Sequence, residues 1–138
     1  MSLKQELIDG LNEDLNLELE AVLRYLYHSA TATSLLGHEL RELLKSDITG
    51  ELNHAVFLAD KIVALGGEVK IHPSMPKKVK SAKEMLEVNA AAEHQVVASY
   101  TQRIKQAEEY GDKGLVIRLE DILAEETDHA EELERLSR

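Results

Sequence analysis

Four glutamates and two histidines recur at spacings that suit the binding of two metal ions. In each half of the chain a glutamate is followed 33 residues later by a Glu-x-x-His motif, which gives Glu18, Glu51, His54, Glu93, Glu126 and His129. Residues three apart on a helix share a face, so each motif can direct a carboxylate and an imidazole to one centre. Burying unpaired carboxylates is costly, and two divalent cations would balance four of them. The sequence therefore predicts a pseudo-two-fold site for two metal ions.

The six residues lie in segments whose apolar side chains repeat at helical spacing. These segments predict four helices, over about residues 7–32, 40–65, 82–110 and 115–136. Thr33, Ser34 and Gly37 are expected to break the chain between the first two helices, and Gly66 and Gly67 to end the second. Because leucine, alanine, glutamate and lysine are strong helix formers and dominate the sequence, we predict an all-α fold.

A proline-containing connection of about 15 residues, over 67–81, separates the second and third predicted helices. Extended, it reaches roughly 50 Å, about the length of these helices. It can therefore cross the whole bundle, and an up-down-down-up arrangement with one long crossover follows. The sequence leaves the simpler up-down alternation open.

Composition narrows the classes of function. A chain of 138 residues has the length of one domain, so we expect residues 1–138 to form a single one. A net charge of −10 disfavours nucleic acid as a partner. The absence of cysteine excludes disulfides, thiolate metal sites and iron–sulfur clusters. With no signal peptide and no apolar run long enough for a bilayer, we expect a cytoplasmic protein without a membrane partner.

Two runs surround these positions: Leu-Glu-Leu-Glu-Ala-Val-Leu-Arg-Tyr around Glu18, and Ala-Glu-Glu-Thr-Asp-His, which ends at His129. At the six positions and in these runs, the sequence resembles the ferritin-like di-iron carboxylate family, bacterioferritin most closely. The resemblance implies a ferritin-like four-helix bundle that binds two iron ions. It also implies that Glu51 and Glu126 bridge the two irons. Glu18 with His54, and Glu93 with His129, would complete the separate ions, and manganese or zinc would fit the same donors.

Such centres bind iron(II) and pass electrons to oxygen or hydrogen peroxide, so the resemblance implies a ferroxidase that serves iron homeostasis. A di-iron oxidase, or a rubrerythrin-like peroxidase without mineral storage, is the alternative. A third hypothesis is a helical interaction protein whose polar centre binds no metal. A flank rich in leucine and alanine on the first two helices predicts a homo-oligomer, at least a dimer.

Two departures from bacterioferritin limit what carries over. Bacterioferritin holds haem on a methionine beside the first glutamate of the second-helix motif, and Leu52 stands there in this chain, so we expect no haem bound in that way. The sequence also ends at Arg138, directly after the fourth predicted helix. We therefore expect no fifth helix, which counts against a full storage cage.

Other polar and aromatic residues carry weaker signals. Tyr25 and Tyr100 are separated by the same 75 residues as Glu18 and Glu93, and are either ordinary core aromatics or hydrogen-bond donors to the metal ligands. Asp47 lies one turn before Glu51 and is expected to be half exposed, although it could line an access route for ions. Four histidines are expected at the surface and outside the site: His28, His38, His72 and His94.

Overall fold

The computed structural model describes residues 1–138 as four α-helices with no strand. The helices are α1 (Leu3–Thr31), α2 (Ser34–Ala64), α3 (Ala82–Tyr110) and α4 (Lys113–Leu136). The predicted all-α fold of four helices is confirmed, and α3 has the predicted bounds. No helix is both long and apolar enough to cross a bilayer.

The link between α1 and α2 is shorter than predicted. Gly37 lies inside α2, so the expected break from Thr33 to Gly37 is wrong beyond Thr33. A side chain at Gly37 would bring its Cβ within 3.1 Å of the Ala32 carbonyl carbon. The glycine therefore lets the start of α2 approach the end of α1, and it does not interrupt the helix.

Side-chain caps define where three of the helices begin. The hydroxyls of Ser2 and Ser81 accept hydrogen bonds from the third backbone N–H beyond them, and the Asp112 carboxylate does the same at α4. Each such cap contributes about 1 kcal/mol. Gly111 ends α3 at a φ of +93°, a conformation that glycine adopts without strain.

The order of contacts along the helices gives the topology. Pairs between α1 and α3 run in opposite directions, from Glu18 with Tyr100 to Tyr25 with Glu93. Pairs between α2 and α4 also run in opposite directions, from Glu51 with His129 to His54 with Glu126. The bundle is therefore up-down-down-up with a single crossover, and the up-down alternation is excluded.

Two asparagines on α1 hold the first part of the crossover. Asn12 donates to the Glu68 carbonyl at 2.9 Å and accepts from the Lys70 N–H at 2.8 Å. One turn later Asn16 donates to the Lys70 carbonyl at 2.8 Å and accepts from the His72 N–H at 2.7 Å. Four helical residues advance about 6 Å and two extended residues about 6.6 Å, so the two registers match. The asparagines thus pair with the crossover much as a neighbouring strand would.

The apolar core forms two clusters, one toward each end of the bundle. The larger is centred on Leu11, Leu58 and Leu119, and the smaller on Leu40, Met85 and Leu133. A layer of buried polar side chains lies between them at mid-bundle. This layer brings four buried carboxylates together, which an apolar core would not accommodate without a counter-charge.

Candidate metal centre

The polar layer contains all six residues that the sequence singles out. Each helix of the bundle supplies at least one of them: Glu18 from α1, Glu51 and His54 from α2, Glu93 from α3, and Glu126 and His129 from α4. The four glutamates are 0% exposed and His54 is 7% exposed. Only His129 keeps partial contact with solvent.

The donor atoms of these residues fall into two overlapping groups. Within each group the atoms lie within 4.8 Å of one another; the groups are Glu18, Glu51, His54 and Glu126, and Glu51, Glu93, Glu126 and His129. Glu51 and Glu126 belong to both. The layer thus has two shared carboxylates, with one further glutamate and one histidine on either side. Such a set of donors suits a pair of ions bridged by the shared carboxylates.

Several buried oxygens in this layer have no hydrogen-bond donor. Both oxygens of Glu51 and one oxygen each of Glu93 and Glu126 are unpartnered, as is His129 Nδ1. That nitrogen lies 3.1 Å from Glu51 Oε1 but is not aligned for a hydrogen bond. Buried polar atoms nearly always have a hydrogen-bond partner in native proteins, so these atoms indicate a binding partner that the chain itself does not supply. Carboxylate and imidazole donors without thiolate suit iron, manganese or zinc.

Packing four carboxylates together changes how they ionise when no cation lies between them. Burial raises the pKa of Glu18 and Glu51, and it raises the pKa of Glu93 to about 10. Burial also acts to raise the pKa of Glu126, but the neighbouring imidazoles of His129 and His54 outweigh it and hold that pKa well below its usual range. The metal-free centre therefore keeps a proton on Glu93 while Glu126 stays charged.

The two imidazoles respond in the opposite way to the carboxylates around them. Burial acts to lower the pKa of His54, but its hydrogen bonds with Glu126 and Glu18 prevail and raise it to about 11. Burial also acts to lower the pKa of His129, but the neighbouring carboxylates of Glu126 and Glu51 prevail and raise it to about 11. In the metal-free protein both rings are imidazolium ions that serve as internal counter-charges.

Both tyrosines donate to carboxylates of the polar layer. The Tyr100 hydroxyl donates to Glu18 Oε1 at 3.0 Å, and the Tyr25 hydroxyl donates to Glu93 Oε1. The sequence left open whether these were ordinary core aromatics, and the structure decides for hydrogen bonding. The pair repeats the pseudo-two-fold pattern, because each tyrosine holds a glutamate that belongs to only one of the two groups.

Comparison with known proteins identifies the family to which this fold belongs. A family model described as a ferritin-like domain matches residues 8–138. This chain belongs to the ferritin-like family. A bacterioferritin of Mycobacterium leprae is 30% identical over 125 residues, which cover 90% of this chain and 79% of that protein. The resemblance found in the sequence is thereby confirmed.

Two solved structures agree with this assignment. A protein of Bacillus anthracis described as ferritin-like and diiron-carboxylate superposes with a TM-score of 0.95 at 39% identity, with 100% of each chain covered. The bacterioferritin of Desulfovibrio desulfuricans, described with a diiron site in different catalytic states, gives a TM-score of 0.86 at 27% identity, covering 98% of this chain and 80% of that one.

Each histidine of the polar layer has a second carboxylate near it on the facing helix. His54 Nε2 lies 2.6 Å from Glu125 Oε2, and His129 Nε2 lies 3.6 Å from Asp47 Oδ1. Asp47 was expected to be half exposed, but its side chain is only 19% exposed, because it packs toward the His129 ring. Nothing in the sequence singles out Glu125 except its place next to Glu126. An outer carboxylate of this kind fixes the orientation and tautomer of a ligating imidazole.

Of the four histidines expected at the surface, one is buried. His38, His72 and His94 are exposed, and His94 pairs with Glu134. His28 is only 1% exposed, so the expectation is wrong for this residue. Its ring is held by Asn89 on α3, a long-range contact that the periodicity of α1 does not reveal.

Replacing Glu125 with alanine is expected to weaken metal binding without unfolding the chain. Loss of an outer partner of a ligating histidine typically costs about 10–100-fold in metal affinity. Glu125 is largely exposed, so its removal leaves the core intact. Competition titration with zinc would measure the change, with Glu120→Ala, an exposed carboxylate of the same helix, as control. Equal affinities in the two variants would refute a role for Glu125.

The metal-free protein is expected to lose stability as pH rises from about 6 to 9. Over this range the folded chain keeps protons on Glu93, His54 and His129 that the unfolded chain releases, because the folded pKa values are about 10 and about 11. Stability falls with pH wherever the folded state binds more protons. Glu126 does not contribute, since it is ionised in both states here. Each proton that only the folded state retains steepens the fall by about 1.4 kcal/mol per pH unit.

Thermal melts of chelator-treated protein at three pH values measure this slope. Glu93→Gln serves as the comparison, because it removes one of the three retained protons and should flatten the curve. Metal-loaded protein should show the opposite trend, since ligands must lose their protons before they bind a cation. A melting temperature that rises with pH in the metal-free wild type would contradict the proton assignments.

Proposed function

We propose that this ferritin-like protein binds two iron(II) ions per chain and oxidises them with oxygen or hydrogen peroxide, as a ferroxidase in iron homeostasis. The observation that carries the proposal is the set of buried, unpartnered carboxylate oxygens within two overlapping four-residue groups. The diiron site named for the Desulfovibrio desulfuricans bacterioferritin supports iron over other divalent cations.

In this proposal Glu51 and Glu126 bridge the two ions. Glu18 with His54 holds one ion and Glu93 with His129 holds the other, which follows the membership of the two groups. Bound iron supplies the redox chemistry, in which two iron(II) ions together give two electrons to the oxidant. The protein supplies the geometry and excludes bulk water, because the apolar clusters close the layer from both ends.

Residues around the six ligands prepare them for cations. The hydroxyl of Tyr25 holds Glu93 and that of Tyr100 holds Glu18, so each non-bridging glutamate has one oxygen fixed. Arrival of cations displaces the proton on Glu93 and the protons at Nδ1 of His54 and His129, because ligand atoms must be deprotonated. Release of those protons offsets part of the positive charge that the cations bring into the site.

The test is anaerobic titration of chelator-treated protein with iron(II), followed by oxygen or peroxide. Saturation at two irons per chain, with absorbance of bound iron(III) appearing on oxidation, supports the proposal. Soluble iron loading far above two per chain would favour storage. Turnover of an added reductant without mineral would favour the oxidase or rubrerythrin-like peroxidase alternative. Absence of stoichiometric iron binding would overturn the proposal, and manganese and zinc would then be titrated.

We also propose that the chain forms a homodimer through one face of α1 and α2. Leu26, Leu52, Val56 and Val63 are 58%, 45%, 54% and 62% exposed. The three residues of α2 lie four and seven apart and so form one stripe. Sedimentation analysis of the wild type and Val56→Lys would test this, since a lysine there should shift the protein toward monomer. Leu52 offers no thioether, so we propose that this face does not ligate haem.

A further inference from the structure

Two buried hydrogen-bond donors without acceptors lie side by side on α1, away from the six metal-site residues. His28 is 1% exposed, and its Nε2 has no partner. One turn earlier, Nη2 of Arg24 is also buried and unpartnered. A buried polar group that is left unpaired destabilises the fold. Two such groups together indicate that an acceptor from outside the chain belongs there.

The amide of Asn89 determines which nitrogen of His28 carries the proton. Asn89 Oδ1 accepts from Arg24 Nε at 2.9 Å, and Asn89 Nδ2 donates to the Met85 carbonyl at 2.7 Å. Arg24 can only donate and the carbonyl can only accept, so the amide has one allowed orientation. Its Nδ2 also faces His28 Nδ1 at 2.9 Å, which makes Nδ1 the acceptor. The neutral ring therefore carries its hydrogen on Nε2, the unpartnered atom.

The residues that carry these donors, Arg24 and His28, line a cavity of about 290 Å³ between α1 and the crossover. Lys77 and Lys78 of the crossover line it as well, and Glu20 is its one carboxylate. Glu20 is already engaged, because its Oε2 accepts from the Ser74 N–H at 3.1 Å. Three cationic side chains against one carboxylate leave a local charge of +2 in a chain whose net charge is −10. The rest of the lining is mainly apolar: Met75, Pro76, Val79 and Val88.

We propose that this cavity binds a tetrahedral, dianionic oxyanion of the phosphate class, either free phosphate or a phosphate monoester. A dianion matches the local charge of +2. Tetrahedral oxygens can accept from His28 and Arg24 on α1 and, on another side, from the lysines of the crossover. A carboxylate is planar and carries one charge, so it would leave donors unsatisfied. The site is separate from the metal centre, since none of the six residues lines it.

Calorimetric titration of chelator-treated, metal-free protein with inorganic phosphate tests the proposal without interference from iron. Saturable binding of one phosphate per chain is expected. Arg24→Gln should weaken it by about tenfold or more, because it removes a charge-assisted hydrogen bond. Lys105→Gln, an exposed lysine of α3, should leave it unchanged. Parallel titration with glycerol 3-phosphate distinguishes the sources: tighter binding of the ester indicates a monoester ligand, and tighter binding of phosphate indicates the free ion.

Ring-nitrogen NMR of His28 gives an independent readout. It should show hydrogen on Nε2 in the free protein and a shift of that signal when phosphate is added. Lys77→Gln/Lys78→Gln alters only exposed crossover residues and provides a second weakening variant should Arg24→Gln fail to fold. The proposal is overturned if phosphate does not bind saturably, if acetate binds equally well, if both variants bind as the wild type does, or if the ring carries its hydrogen on Nδ1.

Discussion

Replacing Glu51 and Glu126 together with alanine is expected to abolish binding at both metal positions, whereas Glu18→Ala should remove only one. The two glutamates belong to both groups of donors, so the double variant leaves each ion two ligands of four. Glu18 belongs to one group, and its loss leaves the other complete. Outer partners of a ligand already contribute about 10–100-fold in affinity, so the loss of two ligands should weaken binding by more than about 100-fold.

The measurement is the stoichiometry of anaerobic iron(II) binding. Two equivalents are expected in the wild type, one in Glu18→Ala and none in the double variant. Glu42→Ala/Glu120→Ala is the matched control, because it removes two exposed carboxylates from the same two helices. If Glu18→Ala and the bridging double variant lost binding to the same extent, the two-ion arrangement with shared carboxylates would be wrong.

The double variant should remain folded, which keeps the test interpretable. Both oxygens of Glu51 and one of Glu126 lack hydrogen-bond donors in the metal-free protein. Removing Glu51 relieves a carboxylate whose burial raises its pKa, and without the Glu126 counter-charge the imidazoles of His54 and His129 can release their protons and stay neutral. Circular dichroism and a thermal melt of the metal-free chain should therefore resemble those of the wild type. A collapse of the fold would show that these glutamates stabilise the bundle rather than serve a ligand.

The fold was predictable because its determinants are local and periodic. Apolar stripes mark the helices, and the repeated spacing between Glu18 and Glu51 and between Glu93 and Glu126 places both halves at one level of the bundle. The length of the connection over 67–81 allows one crossover, although only the contacts of Asn12 and Asn16 show where it runs. The residues around an asparagine on a helix surface do not show that its side chain will hydrogen-bond to a backbone segment far away in the sequence.

The surroundings of the centre were less predictable for a related reason. Glu125 and Asp47 are two acidic residues in a chain rich in them, and what distinguishes them is the imidazole on the facing helix. The sequence predicts a surface position for His28. The residue is buried because Asn89 and the crossover that covers α1 lie against it, and neither contact is visible in the sequence. Helix periodicity reports which face a residue is on, but not which side chain from another helix meets it there.

A second buried polar pair lies one turn of α1 from the centre and is not a metal ligand. Asp14 is 0% exposed and Arg103 is 2% exposed, with Arg103 Nε donating to Asp14 Oδ2 at 2.8 Å. Ser99 donates its hydroxyl hydrogen to the same carboxylate. A Cβ on Gly10 would overlap the guanidinium, so this glycine makes the room that Arg103 occupies. Burial nevertheless raises the pKa of Asp14, which shows how completely the pair is withdrawn from water.

Replacing Arg103 with methionine is expected to destabilise the fold by about 3–5 kcal/mol, because it leaves the Asp14 carboxylate buried without its counter-charge. That is a large part of the roughly 5–15 kcal/mol by which a domain is stable. Adding Asp14→Leu to Arg103→Met should restore most of the lost stability, because an apolar pair of similar volume carries no uncompensated charge. Urea denaturation of the two variants and the wild type gives the free energies of unfolding.

Arg135→Met is the control for this comparison, because Arg135 and its partner Glu132 are 80% and 55% exposed at a separation of 3.9 Å. An exposed pair of this kind contributes at most about 1 kcal/mol, so the control should unfold almost as the wild type does. If adding Asp14→Leu to Arg103→Met deepened the loss, the pair would be stabilising in its own right. Recovery in the double variant would show instead that the bundle is destabilised by a single buried charge without a counter-charge. The metal-free centre avoids such a charge because it retains protons on Glu93, His54 and His129.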